Sequence, residues 1–212
     1  MKNDLLNKRR VFLKSLGLAV AGGVGLSTLP ARADENEAAT MLRELALRRR
    51  SIRAYTREAI DPEALNAILE TALLAPTSRG KKVVEFVVVE DRATLQELAR
   101  CKRIGAPSVA AATAAVVVLV DRGKSELWIE DGAVAATYLL LAAEAQGIGA
   151  CWNHIRNREG RQATAEQEIQ ALLGIPQRYG VLCIIALGRK GERKAARTEN
   201  DIPRQNIHRR KF

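Results

Sequence analysis

From Ala115 to Val120 the chain offers no polar side chain on either side of an extended backbone. Val181 to Leu187 is apolar throughout as well, and Glu85 to Val89 is apolar after its first residue. Successive strand residues face opposite ways, so a strand with one wet face alternates apolar with polar residues, and these runs do not. They read as strands covered on both faces. A sheet of such strands needs helices above and below it, which makes the expected fold an α+β chain in three layers, α/β/α, with a mixed central sheet.

The intervening segments supply the helices. Glu37 to Arg49 places Met41, Leu42 and Leu45 on one side. Asp61 is an N-cap with Pro62 at the first helical position, followed by Leu65, Ile68, Leu69, Ala72 and Leu73 at helical spacing. That helix stops before Pro76, because the residue ahead of a proline avoids helical angles. Asp91 opens a helix to about Cys101, and Ala165 to Leu173 forms another, ended by Gly174. Trp128 to Gln146 is apolar nearly all round, so it is expected in the core or against a second chain. A short strand, Gly149 to Trp152, follows it. Cys101, Cys151 and Cys183 sit among small and apolar residues and form no disulfide framework.

The first 33 residues read differently. Lys8-Arg9-Arg10-Val11-Phe12-Leu13-Lys14, a glycine-bearing apolar stretch from Leu16 to Leu29, and Ala31-Arg32-Ala33 resemble a twin-arginine signal peptide cleaved before Asp34. The apolar stretch is shorter than the ~20 residues of a spanning helix. The alternatives are an uncleaved anchor or a basic amphipathic helix. Residues 1–33 are therefore expected to act as an export signal read by the twin-arginine translocase, with 34–212 as one domain in the periplasm or beyond. The signal holds six of the 34 basic residues and one of the 24 acidic ones, so 28 against 23 remain and the net charge falls from +10 to +5. That surplus gathers at Arg48–Arg53, Arg79–Lys82 and Arg189–Lys211. Three local clusters suit a phosphate better than the continuous stripe needed for duplex DNA, and aromatics at 4% leave few platforms for base stacking, so no nucleic-acid partner is expected.

Arg49-Arg50-Ser51-Ile52-Arg53 puts three guanidiniums and a hydroxyl within five residues, enough to hold a phosphate bidentately. A run like this is as readily a solvated charged segment, so its company matters. Four ordered segments provide it: Arg49 to Tyr55; Ala72 to Ser78 with Glu85 to Val89; Trp128 to Ala143 with Gly147 to Trp152; and Leu173-Gly174-Ile175-Pro176 with Ile185 to Gly188 and the terminal Asn206 to Phe212. Together they resemble the FMN-dependent nitroreductase family over essentially all of residues 40–212.

The resemblance implies an intertwined homodimer with FMN at the interface and the tail, 189–212, wrapping the partner. Arg49, Arg50 and Ser51 would hold the ribityl phosphate, with Arg189 or Arg197 completing the site, and Arg53 would lie near the pyrimidine edge. Pro76, Thr77 and Ser78 would come from the partner subunit. Backbone around Gly149, Ala150, Cys151 and Trp152 would face the flavin near its reactive nitrogen. The chain departs from the family pattern after Ser78: Gly80 stands where an asparagine is common, and Lys82-Val83-Val84 where Gln-Pro-Trp is common. Either Lys81 or Lys82 supplies charge to the flavin there, or the loop has diverged and both lysines are solvated. Trp152 either stacks on flavin or substrate or packs under a loop. His154 is a candidate general acid or a structural histidine; Cys151 lacks a base and a second cysteine. No metal site is expected. The implied activity is ping-pong hydride transfer through FMN to a quinone, a nitroaromatic or a similar electrophile. NAD(P)H is the usual donor in such a family, and export leaves the donor unnamed. The alternatives are a non-catalytic FMN-binding electron carrier or flavin-sequestering protein, and a basic protein that binds acidic polymers.

Overall fold

The computed structural model describes residues 33–212; the twin-arginine motif and the apolar stretch after it lie outside them. Contacts divide the chain at Ala39/Thr40. Of the first unit, residues 33–39 are helical and open helix α1, Ala33–Arg48. The second unit, Thr40–Phe212, carries the sheet and everything packed on it.

The sheet has four strands in the order β1-β2-β4-β3: β1 Val84–Val89, β2 Ala114–Asp121, β3 Ile148–His154 and β4 Tyr179–Arg189. All three pairings are antiparallel, so the expected mixed sheet is found only where Ser51 makes a parallel bridge to Ala150 at the free edge of β3. The two strands without polar alternation, β2 and β4, are the central pair, and both are buried almost end to end. β1 is an edge strand with half-exposed residues at its centre, less covered than its apolar run suggested.

Period-two alternation sorts β2 between two cores. Val116, Val118 and Val120 face helices α2 (Pro62–Leu73) and α5 (Trp128–Ala145) across Ile68 and Leu139. Ala115, Val117 and Leu119 face α3 (Arg92–Arg100), α4 (Pro107–Ala111) and α6 (Ala165–Leu173) across Leu95, Leu98, Val109 and Ile169. The result is the three-layer α/β/α arrangement. Caps fall where the side chains direct them: the Glu63 amide donates to Asp61 Oδ1 at 2.8 Å, the Thr94 amide to Asp91 Oδ1 at 2.8 Å, and Gly174 takes left-handed φ of 66° after α6. All three cysteines are buried and free; burial raises the Cys101 thiol to about 11 and the Cys183 thiol well above its ordinary value.

Candidate functional site

The segment between α1 and α2 lies across the open edge of β3 and the end of β4. The Ile52 amide donates to the Ala150 carbonyl at 3.0 Å, the Thr56 amide to the Arg189 carbonyl at 3.0 Å, and the Gly191 amide to the Ala54 carbonyl at 2.9 Å. Two glycines permit so close an approach. A Cβ on Gly149 would stand 2.9 Å from Ile52 Cγ2, and one on Gly188 would stand 2.8 Å from Tyr55 Cδ1. Ile52 is buried as a result, and the Tyr55 hydroxyl donates to the Ile52 carbonyl at 2.6 Å. Burial, then the neighbouring Cys151 and Glu192, pushes the Tyr55 phenol far above its usual range, so Tyr55 is a neutral strut.

Onto this frame the chain folds its own later segment. The Arg197 amide donates to the Leu47 carbonyl at 2.8 Å, and Arg197 Nη1 to the Arg49 carbonyl at 3.1 Å. Lys194 Nζ donates to the Ser51 carbonyl at 2.6 Å, and Arg50 Nη1 to the Ala195 carbonyl. Glu192 Oε1 accepts the Arg53 amide at 2.6 Å and the Ala54 amide at 3.3 Å. The first part of the tail thus runs along its own chain. Beyond it, Ile207 and Phe212 are exposed.

Six cations meet here, Arg49, Arg50, Arg53, Lys190, Lys194 and Arg197, against the carboxylates Glu144, Glu192 and Asp201. Glu144 is taken by Lys190 at 2.8 Å, and Glu192 by Lys194 at 3.2 Å. The half-buried Arg49 guanidinium makes no hydrogen bond or ion pair among the described residues, and neither does the Ser51 hydroxyl. Burial first, then Arg197, holds the Arg49 guanidinium below its ordinary value, partly offset by Glu144. An unanswered, partly desolvated guanidinium with like charges beside it and a free hydroxyl two residues on is a donor set for an oxyanion.

The other expected residues lie elsewhere in the chain. Pro76, Thr77 and Ser78 form the loop after α2, clasped by the buried Asp131 near the start of α5: the Ser78 amide donates to Asp131 Oδ1 at 2.7 Å and the Ser125 hydroxyl to Oδ2 at 2.7 Å. Glu144, at the other end of α5, neighbours Arg49. Thirteen residues of helix separate the two carboxylates, about 20 Å at 1.5 Å per residue. Within one chain the Pro76–Ser78 loop is therefore far from the arginine cluster. Gly80 has φ of 65° with open space around its Cα, Lys81 Nζ donates to the Lys124 carbonyl at 2.5 Å, and Lys82, at φ of 50°, is exposed.

On β3, Ala150, Trp152 and His154 share the α5 face, while Cys151 is buried on the other. Trp152 is half-buried and packs against the α5-side core. Burial first, then Arg158, Lys102 and Arg156, lowers the His154 pKa, which keeps the ring neutral at neutral pH. Arg189 Nε pairs with Glu58 at 3.1 Å, away from Arg49, while Arg197 joins it. Lys190, Glu192, Lys194 and Glu144 were not anticipated from the sequence; the basic tail marked only their neighbourhood. No group of three or more His, Cys, Asp or Glu among the described residues is arranged to hold a metal ion.

The sequence profile of the nitroreductase family matches residues 46–124 and 105–189, which takes in the arginine segment, the sheet and α5. The chain belongs to the nitroreductase family. This nitroreductase-family chain is 33% identical over 169 residues to an Archaeoglobus fulgidus protein provisionally named NADH dehydrogenase/NAD(P)H nitroreductase, covering 77% of this chain and 94% of that one. Its fold is similar to that of an FMN-dependent nitroreductase of Clostridium difficile R20291, with TM-score 0.78, 37% identity, and coverage of 80% of this chain and 99% of that one. A Desulfovibrio desulfuricans protein provisionally named a nitroreductase, solved in complex with FMN, is similar at TM-score 0.64 and 26% identity, covering 81% and 97%.

Proposed function

We propose that the protein is an FMN-dependent oxidoreductase that works as a homodimer, passing electrons by a ping-pong cycle to a quinone, a nitroaromatic or a similar small electrophile. The observation that carries this is the unanswered Arg49 guanidinium with the free Ser51 hydroxyl beside the open edge of β3, in a family whose solved relatives include one bound to FMN. FMN, when bound, supplies reversible two-electron chemistry. Arg49, Arg50 and Ser51 bind its phosphate; Arg197 and Lys194 hold that segment in place through the Arg49 and Ser51 carbonyls. β3 runs about 13 Å from Ala150 to His154, at roughly 3.3 Å per residue, offering backbone along that length for a ring to lie against.

The surface of α5 supports the homodimer. Val134, Tyr138 and Leu141 make a partly exposed apolar stripe at spacings of four and three. A two-fold axis near Tyr138 sets two α5 helices antiparallel, bringing one chain's Asp131-clasped loop to the other chain's Arg49 cluster. Each flavin site then has residues from both chains. Tyr138→Asp is expected to give a monomer by sedimentation that has also lost FMN binding; a monomer retaining full FMN affinity would refute the shared site.

The deciding experiment is anaerobic reduction of the purified protein by NADH, NADPH or a quinol, followed by an acceptor. Expected are a yellow protein and parallel lines in double-reciprocal plots. A colourless protein that takes up no FMN would sink the proposal, and FMN binding without turnover would make the protein an electron carrier. Export by the twin-arginine translocase to the periplasm, with residues 1–33 as signal, is part of the proposal. It rests on the Arg9-Arg10 motif, and retention of Arg9→Lys/Arg10→Lys in the cytoplasm tests it.

A further inference from the structure

Three segments meet where β1 ends and β2 begins, and they enclose a cavity of about 660 Å³. The stretch from Tyr55 to Ala59 forms one wall, Glu90 and Arg92 at the start of α3 a second, and Ala111 to Thr113 after α4 the third. Arg92 Nη1 and Gln96 Nε2 both donate to the Ala110 carbonyl, at 2.5 and 2.9 Å, which ties the second wall to the third. Arg189 Nε holds the first wall through the Ala59 carbonyl at 3.2 Å, and the Thr113 amide is fixed to the Leu187 carbonyl at 3.1 Å. The cavity belongs to the α3–α4 side of the sheet, where Leu95 and Ala112 join the core, while α5 covers the opposite side. Neither the Arg49–Ser51 segment nor the Pro76–Ser78 loop lines it.

Three polar groups of the lining are unanswered. The Arg57 guanidinium makes no hydrogen bond or ion pair among the described residues, and neither does the Glu90 carboxylate, although the two line one cavity. They stand too far apart to pair with each other. The Thr113 hydroxyl is the one buried side-chain oxygen or nitrogen among the described residues that has no hydrogen-bond partner. A hydroxyl in that position has given up its water and gained nothing in return, and folded proteins keep few such groups. Ala59, Leu95 and Ala112 add apolar surface to the same lining.

We propose that this cavity binds a small zwitterion with an apolar body, its carboxylate on Arg57 and its ammonium on Glu90. A carboxylate accepts paired N–H donors from a guanidinium and an ammonium donates to a carboxylate, so one such molecule answers both stranded charges. Its alkyl part lies on Ala59, Leu95 and Ala112, and the Thr113 hydroxyl gains the partner that the fold denies it. A simple anion would be repelled by Glu90, and a simple cation by Arg57 and Arg92. The volume lies within the ~300–1,000 Å³ of small-molecule sites and admits a free α-amino acid or a dipeptide. Both carry the same charged ends and differ in the span between them. The site takes no part in the proposed electron transfer and stands or falls apart from it.

Calorimetric titration of the purified protein with L-leucine and with L-leucyl-L-leucine tests the site, each variant being checked by thermal melting. At least one should bind, and the tighter of the two tells amino acid from peptide. The C-terminal amide of that ligand lacks the carboxylate and its N-acetyl form lacks the ammonium; each should bind about fivefold or more weakly. Arg57→Gln should weaken the parent ligand by a similar factor and erase its advantage over the amide. Glu90→Gln should erase its advantage over the N-acetyl form. Thr113→Val should weaken binding about two- to tenfold while the empty protein melts at an equal or higher temperature, because the hydroxyl has no bond to lose. Absence of binding by both ligands, an isotherm unchanged in Arg57→Gln and Glu90→Gln, or binding abolished by saturating FMN overturns the proposal.

Discussion

Gly149→Ala is the sharpest test of how the arginine segment is held. The new methyl would lie 2.9 Å from Ile52 Cγ2, 3.1 Å from Ile52 Cβ and 3.1 Å from Lys190 Cγ. Comfortable carbon–carbon contacts are about 3.5–4.0 Å, so all three are too short by about half an ångström. Lys190 can swing aside, but Ile52 is β-branched and 3% exposed, with no free rotamer to retreat into. The segment must back away from β3, stretching the Ile52–Ala150 hydrogen bond. Overpacking of this kind costs about 1–3 kcal/mol. With a urea slope of about 2 kcal/mol/M, the midpoint should fall by about 0.5–1.5 M. Moving Arg49 and Ser51 should also forfeit roughly one charge-assisted hydrogen bond to the phosphate, about 1.5–3 kcal/mol, or a 10- to 150-fold weaker FMN complex. Urea melts of the flavin-free protein and quenching of flavin fluorescence read the two effects. In an Ile52→Ala background the glycine change should cost less, because the shortest contact, with Ile52 Cγ2, is removed. An unchanged midpoint with FMN affinity within about twofold, or strict additivity with Ile52→Ala, would refute the reasoning.

Arg49→Gln should weaken FMN about 10- to 100-fold in the same fluorescence titration while leaving the flavin-free melting temperature equal or higher. Burial and Arg197 depress the Arg49 pKa, so its charge costs the empty fold stability at any ordinary pH, and a neutral side chain removes that cost. Asp131→Ala strips acceptors from the Ser78 amide and the Ser125 hydroxyl, which should cost about 2–4 kcal/mol in a urea melt and speed tryptic cutting at Arg79, Lys81 and Lys82. His154 has a folded pKa below the unfolded 6.5, so the unfolded chain takes the proton first. Stability is full above pH 6.5 and declines as pH falls from there through the folded pKa; His154→Gln should flatten that limb of a pH-dependent melt.

The layered fold was legible because its signals are local. Asp61 with Pro62 marked a helix start, Gly174 a helix end, and the apolar runs in β2 and β4 the central strands. Strand direction was not legible, since β2 and β4 look alike whichever way they run. The five-residue α4 was missed because it is too short to carry a period. In the site, the Arg49–Arg53 cluster could be picked out from charge spacing and family resemblance. Its supports could not: Glu192, Lys194 and Arg197 reach the segment across some 140 residues, through amides and carbonyls that every residue type possesses. The positions of Arg189, paired with Glu58, and of Arg197, beside Arg49, depend on the same long-range geometry.

The return of residues 191–197 onto residues 47–54 also orders events during synthesis. The arginine segment and β3 leave the ribosome well before the strap that fixes them, which follows all four strands. A nascent chain can therefore bury its central strands while the oxyanion donors remain unbraced. Bracing of that donor cluster therefore waits until translation has delivered Arg197.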